Sequence, residues 1–449
     1  MILTQILFLY CISFSKTLIT LPFKEIINKQ LLTENNLIDI LDNSIISTTI
    51  KLGTPIQSIP LIMKSSEYAF HISNESCNGN VENKFINTLS TSYKEDLDCY
   101  DEYIYEQDEL KSFSIKGEKP SIDNFYLGKE EKIVENLGFL LTYNLTVNQS
   151  GILGMGFFES RLKYQPFGFI KQLKQLNVIK QNIYSFSYFG ENEGNLIIGE
   201  YPHTYKSEDY LLENFKQSSI FYSHKHNNFD IKFNGLFYGE NKIDDDLNME
   251  VTFDNGLIKG TDIFRDNLDK FIFNDLIEKK ECERNISNEK RLYYVCNNKR
   301  ILRKFESIKF YLNEQSVNLT ISSGDLFYKN DKDGKYYFLI YFNQPLTKEE
   351  KWKQRLDSIN NKWILGRKFF KTFLLVFDQD KKIMGFYKNK LNQNIFSKGI
   401  FLPWTLVFVC ISIIFVLIFY IFSIFKKIRK KRVNELDLYY DYTPYKVEI

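Results

Sequence analysis

Residues 400–425 run for 26 positions without a charged side chain, and KKIRKKR follows at once at 426–432. At about 1.5 Å of rise per residue, a helix over that run is roughly 39 Å long, enough to cross a hydrocarbon core of about 30 Å with some tilt. A soluble core has no use for a helix of this length that is apolar on every side. The basic cluster sets the direction of crossing, because Lys and Arg accumulate on the cytosolic side. The run therefore predicts a transmembrane helix over 400–425, with the lipid bilayer as partner, and a cytosolic tail over 426–449. At the other end, residues 1–15 carry no charged side chain and are rich in Ile, Leu, Phe and Tyr. A stretch this short reads as a signal peptide, placed at 1–16. Together the two ends predict a single-pass type I protein of the secretory pathway, its N-terminal part luminal or extracellular.

That luminal part is long enough for two packed lobes. The formal net charge is +2, from 58 basic and 56 acidic residues, which gives no basic excess for a nucleic-acid partner. Aromatic residues reach 16%, with 40 Phe and 29 Tyr, a composition that favours strands. Strand-like runs fall at 47–52, 58–63, 184–189, 195–198, 249–253, 308–312 and 336–342, each bounded by Gly, Pro, Asn or Ser. Helical spacing of apolar residues is confined to 167–176 and 266–279. The polar stretches 78–100, 242–248 and 346–362 read as loops. The expected class is mostly β.

Six cysteines are present. Cys11 lies in the signal and Cys410 in the span, which leaves Cys77, Cys99, Cys282 and Cys296. Four luminal cysteines imply two disulfides, in any of three pairings. The local pairs Cys77–Cys99 and Cys282–Cys296 are preferred. Asn-x-Ser/Thr sequons at Asn74, Asn144, Asn148, Asn285 and Asn318 fit the same compartment.

Five segments, in order, resemble pepsin-like aspartic peptidases. LGTPIQSIPLIMKSSE (52–67) is similar to the family's strand–turn–strand that leads to its first catalytic Asp-Thr-Gly. SGILGMGF (150–157) resembles the segment that closes the first lobe's active-site loop. NLIIGEY (195–201) resembles the Gly-rich strand near the lobe junction, and VTFDNGLIKG (251–260) the second Asp-Thr-Gly. WILGRKFFKTFLLVFDQDKKIMGFY (363–387) resembles the closing stretch of the second lobe. Each motif alone is weak; their order and spacing across residues 42–390 carry the resemblance. It implies a two-lobed pepsin-like fold with pseudo-twofold symmetry, an N-terminal lobe at 42–204 and a C-terminal lobe at 205–392, plus the one C-terminal transmembrane helix. Residues 17–41, with LPFKEIINK, resemble the start of a family pro-segment but are short for an inhibitory one.

The family's chemistry needs two carboxylates, one per lobe, that share a proton. One activates water and the other donates to the peptide carbonyl. By resemblance the second acid is Asp254. Counting from the Gly53-Thr54-Pro55 turn, the first position falls on Lys64. Tyr105 is the candidate flap tyrosine, in a run (Tyr105 to Glu109) without the glycines that a tight hairpin tip uses. A Lys64–Asp254 ion pair is expected in place of a proton-sharing dyad. The implied function is a membrane-anchored, catalytically inactive pseudopeptidase that takes a peptide or protein ligand in its inter-lobe cleft. The alternative is a divergent aspartic endopeptidase using Asp254. No cofactor or metal is expected, and the sequence is silent on oligomeric state. His224-x-His226 lacks a third ligand. Ser65 and Ser66 near His71 lack a nucleophile elbow. Asp378 reads as a turn residue.

Overall fold

The computed structural model describes residues 18–27, 36–78, 83–95, 118–127, 132–143, 149–156, 168–222, 229–245, 247–312, 317–345, 362–388, 420 and 423–427. The chain separates into two compact units, Met1–Asn389 and Lys390–Ile449.

The first unit is mostly β. Its backbone is organised by two copies of one motif. In the first, the strand Gln57–Lys64 runs parallel to Gly151–Gly154, with Met63 beside Leu153 and Lys64 beside Gly154. The chain then loops through residues 65–69 and returns as Phe70–Ser73 on the other side of Gly151–Gly154, antiparallel to it, with Phe70 beside Leu153. Phe70–Ser73 is also parallel to Lys132–Thr142. In the second copy, Leu247–Val251 runs parallel to Trp363–Leu365 and Ile258–Lys259 returns antiparallel to it. Ile258–Lys259 is in turn parallel to Ile340–Asn343. Strands buried on both faces need continuous apolar sequence, which is why Ile-Leu-Gly sits at both threading positions.

Glycine is required there by contact. A Cβ on Gly154 would stand 2.3 Å from the Ala69 carbonyl oxygen, and one on Gly366 would stand 2.0 Å from the Leu257 carbonyl oxygen. Both obstacles are backbone atoms of the returning loops, which cannot swing away.

An antiparallel sheet joins the two halves. Its strands follow the order Ile45–Leu52, Ile19–Ile26, Glu193–Ile198, Ile183–Tyr188, Phe373–Asp378, Ile383–Lys388 and Lys216–Tyr222. Under it lies an aromatic cluster. Phe186 contacts Phe253 at 4.8 Å and Phe370 at 5.8 Å, and Tyr184 stacks on Phe377 at 4.8 Å between ring centroids. Each such pair adds about 0.5–1.5 kcal/mol beyond simple burial. One continuous apolar core runs through residues of both halves.

The expected strands form, with ends shifted by one or two residues. The stretch 336–342 is split into Tyr336–Phe338 and Ile340–Asn343. The spacing at 266–279 corresponds to a helical segment that starts four residues earlier and ends one residue sooner: Asp262–Leu268, a π-helical turn at Asp269–Phe273, and Asn274–Glu278. The polar stretch 242–248 is not a loop. It belongs to two strands, Asn241–Asp244 and Leu247–Val251, because the charged side chains of the first stay largely exposed while its backbone pairs with Gly235–Tyr238. The Cys282–Cys296 disulfide is present and clips the hairpin of Cys282–Ile286 with Arg291–Cys296. The expected Cys77–Cys99 bridge is corrected: Cys77 carries a free buried thiol, 3.1 Å from the Thr142 carbonyl oxygen. Cys99 lies outside the described residues.

In the second unit, residues 423–427 are helical. Almost all of the expected span 400–425 lies outside the described residues, as do the signal segment 1–16 and nearly all of the tail. No helix among the described residues is long and apolar enough to cross a membrane.

Two outcomes follow from this packing. Gly366→Ala should destabilise the protein by about 3 kcal/mol in chemical denaturation, because the added methyl meets unyielding backbone. Lys368 gives a pH signature. Burial drives its pKa down from 10.5 to about 8, with Lys371 acting in the same direction against Asp325, Glu191 and Glu25. Between those two values the unfolded chain binds more protons than the folded one, so this group's contribution to stability rises with pH across that window. Lys368→Met should therefore be more stable than wild type at pH 7, by on the order of 2 kcal/mol. That advantage should close by pH 10 in paired denaturation curves.

Candidate functional site

The two returning segments, residues 64–69 and 252–257, meet each other. Each leaves a strand that ends beside the threading Ile-Leu-Gly and re-enters seven residues later: Met63 and Phe70 both flank Leu153, and Val251 and Ile258 both flank Leu365. Counted from those flanking residues the two loops are equal in length, although their inner hydrogen bonds differ: the Met155 N–H meets the Lys64 carbonyl oxygen, whereas the Arg367 N–H meets that of Asn255. Lys64 matches Thr252, Ser65 matches Phe253, and Ser66 matches Asp254. Asp254, read from the sequence as the counterpart of Lys64, therefore stands two residues beyond it. The Asp-Asn-Gly triplet and the strand register therefore give different counterparts for Lys64. Neither Lys64 nor Thr252 is an acid.

The side chains follow from this offset. Phe253 is fully buried in the aromatic cluster. The next residue then faces the opposite loop. Asp254 is half-buried, and its carboxylate accepts the Ser65 N–H at 2.7 Å on Oδ1 and the Ser66 N–H at 3.0 Å on Oδ2. Two consecutive N–H groups form a small concave anion site, filled here by a carboxylate from the other half of the molecule. Beside it the hydroxyls of Ser65 and Thr252 lie 2.5 Å apart, and the Thr252 hydroxyl accepts the Asp254 N–H at 3.1 Å. Ser65 is fully buried, so it is unsuited to act as a nucleophile. The expected Lys64–Asp254 ion pair is absent among the described residues. The contact between the halves is made by Ser65 and Ser66 instead. Lys64 remains half-buried at the end of its strand.

Three further groups hold the second loop, and none was read from the sequence. Arg367, directly after the second Ile-Leu-Gly, is 1% exposed. Its guanidinium donates to the carbonyl oxygens of Phe253 and Asp254 on one side and to the carbonyl and hydroxyl of Ser44 on the other. Its Nε lies 3.4 Å from Glu25, which also pairs with Lys371 at 2.9 Å. Asp42 caps the loop from below, accepting the Leu257 N–H at 3.0 Å on its side chain and the Gly256 N–H at 2.8 Å on its backbone. Arg291 bridges Asp39 and Asp42 at 2.7 and 2.8 Å. Burial works against the Arg291 charge, but Asp42, Asp39 and Glu289 outweigh it and raise its pKa. The one signal in the sequence was Arg367 itself, a charge set inside an apolar closing stretch.

Other sites predicted from sequence are placed as follows. Asn74 is 2% exposed, and its side-chain amide donates to the Phe85 carbonyl and to Asn87. A folded chain has no room for a glycan there, which corrects that sequon. Asn318 is exposed on the strand Val317–Ile321. Asn285 is half-buried, and the hydroxyl of its sequon Ser287 is buried against Asp39. Asn144 and Asn148, the flap candidate Tyr105, and His224-x-His226 lie outside the described residues. Asp378 closes the turn between Phe373–Asp378 and Ile383–Lys388, accepting the Tyr201 hydroxyl and the Lys381 N–H.

No curated protein matches the chain. A family model described as eukaryotic aspartyl protease matches residues 47–389, which include both threading motifs and both facing loops. The chain belongs to the eukaryotic aspartyl protease family.

Proposed function

We propose that this protein is a catalytically inactive member of its family, anchored in a secretory-pathway membrane, whose inter-lobe cleft binds a peptide or protein rather than cleaving it. One observation carries the inactive reading: the two positions that a count from the strand register pairs across the halves hold Lys64 and Thr252, and neither is an acid. The family's reaction requires one carboxylate to hold a proton while the other activates water. A lysine and a threonine supply neither partner. Asp254 alone does not fill the gap, because the reaction takes a pair of carboxylates, and its two oxygens bridge to backbone N–H groups of the opposite loop. The reading of Asp254 as the base of a divergent endopeptidase therefore has less support than the binding reading.

Support for the compartment is separate. The Cys282–Cys296 bridge fits an oxidising lumen. The uncharged run at 400–425 with its basic flank fits a membrane anchor. The exposed Asn318 sequon fits a glycoprotein.

Two measurements test the site. Purified protein should give only background cleavage of a broad peptide library between pH 3 and 6, and so should Lys64→Asp and Asp254→Ala. Pepstatin-sensitive turnover in wild type refutes the inactive reading, and efficient turnover in Lys64→Asp refutes the assignment of Thr252 as its counterpart. Asp254→Asn separates a structural from a catalytic carboxylate. Replacing one carboxylate oxygen by an amide group turns it towards a backbone N–H, leaving that donor without an acceptor. Stability should fall by about 1–3 kcal/mol. An unchanged denaturation midpoint would show that the contact between the loops does not hold them together.

A further inference from the structure

The N-terminal strand Ile19–Ile26 lies inside residues 17–41, the stretch whose sequence resembles the start of a pro-segment. A pro-segment must be able to leave. We infer that this strand is instead a permanent part of the folded protein, and that Glu25 supplies the counter-charge that keeps Arg367 seated on the second loop. The inference rests on the inactive reading above and extends it to regulation: this protein has no zymogen step.

The strand is not laid on the surface. It is hydrogen-bonded along both edges, from Ile19 beside Ile198 to Lys24 beside Glu193 on one side, and from Phe23 beside Thr48 to Ile26 beside Ile45 on the other. Removing it would split the sheet that joins the halves and expose two strand edges at once. Ile19, Leu21 and Phe23 are each at most 5% exposed, and Phe23 packs edge-on against Phe186 and Tyr188. The Pro22 carbonyl accepts the Thr48 hydroxyl at 2.7 Å.

Electrostatics ties the strand to the site. The Glu25 side chain is 7% exposed and faces Arg367 and Lys371. It also accepts the Tyr188 hydroxyl at 2.8 Å. Among the described residues, no other carboxylate is ion-paired to Arg367; its remaining contacts are the neutral oxygens of Phe253, Asp254 and Ser44. If the strand left, a guanidinium that is 1% exposed would lose its anion. Removing one partner of a buried pair leaves the other uncompensated, which is strongly unfavourable. The following segment is tied as well, since Leu37–Asp42 holds the loop through Asp42 and is fastened by Arg291.

The test uses the full-length chain in detergent with a specific protease site placed within residues 28–35. After cutting under native conditions, the N-terminal fragment should co-elute with the rest in size-exclusion chromatography, and peptide cleavage should stay at background. Glu25→Gln in the cut protein should speed fragment loss about tenfold, while Lys24→Gln, exposed on the same strand, should not. Loss of the wild-type fragment without turnover overturns this inference and leaves the inactive reading standing. Loss accompanied by pepstatin-sensitive turnover overturns both. Retention that is the same in Glu25→Gln overturns the role given to Glu25.

Discussion

A single buried guanidinium organises the centre of this molecule. Arg367 contacts the second loop at Phe253 and Asp254, the strand entry at Ser44, and the N-terminal strand at Glu25. A charge this deep is tolerable only when its hydrogen-bonding capacity is used and an anion lies close. Its donors therefore hold two backbone segments far apart in sequence, at Phe253–Asp254 and at Ser44, and its charge is paired to a third at Glu25. The position of Asp254 follows from this. With the Phe253 side chain sunk in the aromatic cluster and both carbonyls held from below, the Asp254 carboxylate faces the opposite loop.

The relation between the two loops is then one of mutual satisfaction. The Ser65 and Ser66 amides receive a carboxylate, the Ser65 and Thr252 hydroxyls receive each other, and the Asp254 amide is taken by Thr252. A catalytic centre needs polar groups whose demands are met only when substrate or water arrives. Here the demands are met within the protein. An acid at Thr252 would meet the Ser65 hydroxyl, which lies 2.5 Å from the Thr252 hydroxyl, in a site that has a carboxylate next to it already.

The fold was legible because its constraints are local and repeated. Ile152-Leu153-Gly154 and Ile364-Leu365-Gly366 mark both threading strands, and the period of the flanking runs gives the strands around them. The place of Lys64, at the end of its strand beside Gly154, was legible by counting from Gly53-Thr54-Pro55. The second half of the site was not. The triplet Asp254-Asn255-Gly256 points to Asp254, whereas a count from the pairing of Val251 and Ile258 with Leu365 points two residues earlier, to Thr252. The partners Glu25, Asp42 and Ser44 lie hundreds of residues from Arg367 and Leu257, so no spacing rule reaches them. Asn74 failed for a related reason: a sequon is defined by three residues, whereas its burial is decided by Phe85 and Asn87 across a loop.

The N-terminal strand depends on the same centre. Its sequence resembles a removable segment, because a strand that joins a sheet by backbone pairing reads the same whether it stays or leaves. What separates the two cases is whether the rest of the protein is complete without it. An element meant to depart must leave behind a surface that water or another segment can satisfy. Glu25 leaves instead a buried cation, two open strand edges and a loop whose carbonyls share that cation. In a peptidase such a dependence would be a defect, since maturation would dismantle the active site. In a protein whose loops already satisfy each other, it adds one more constraint to a centre built to stay in one arrangement.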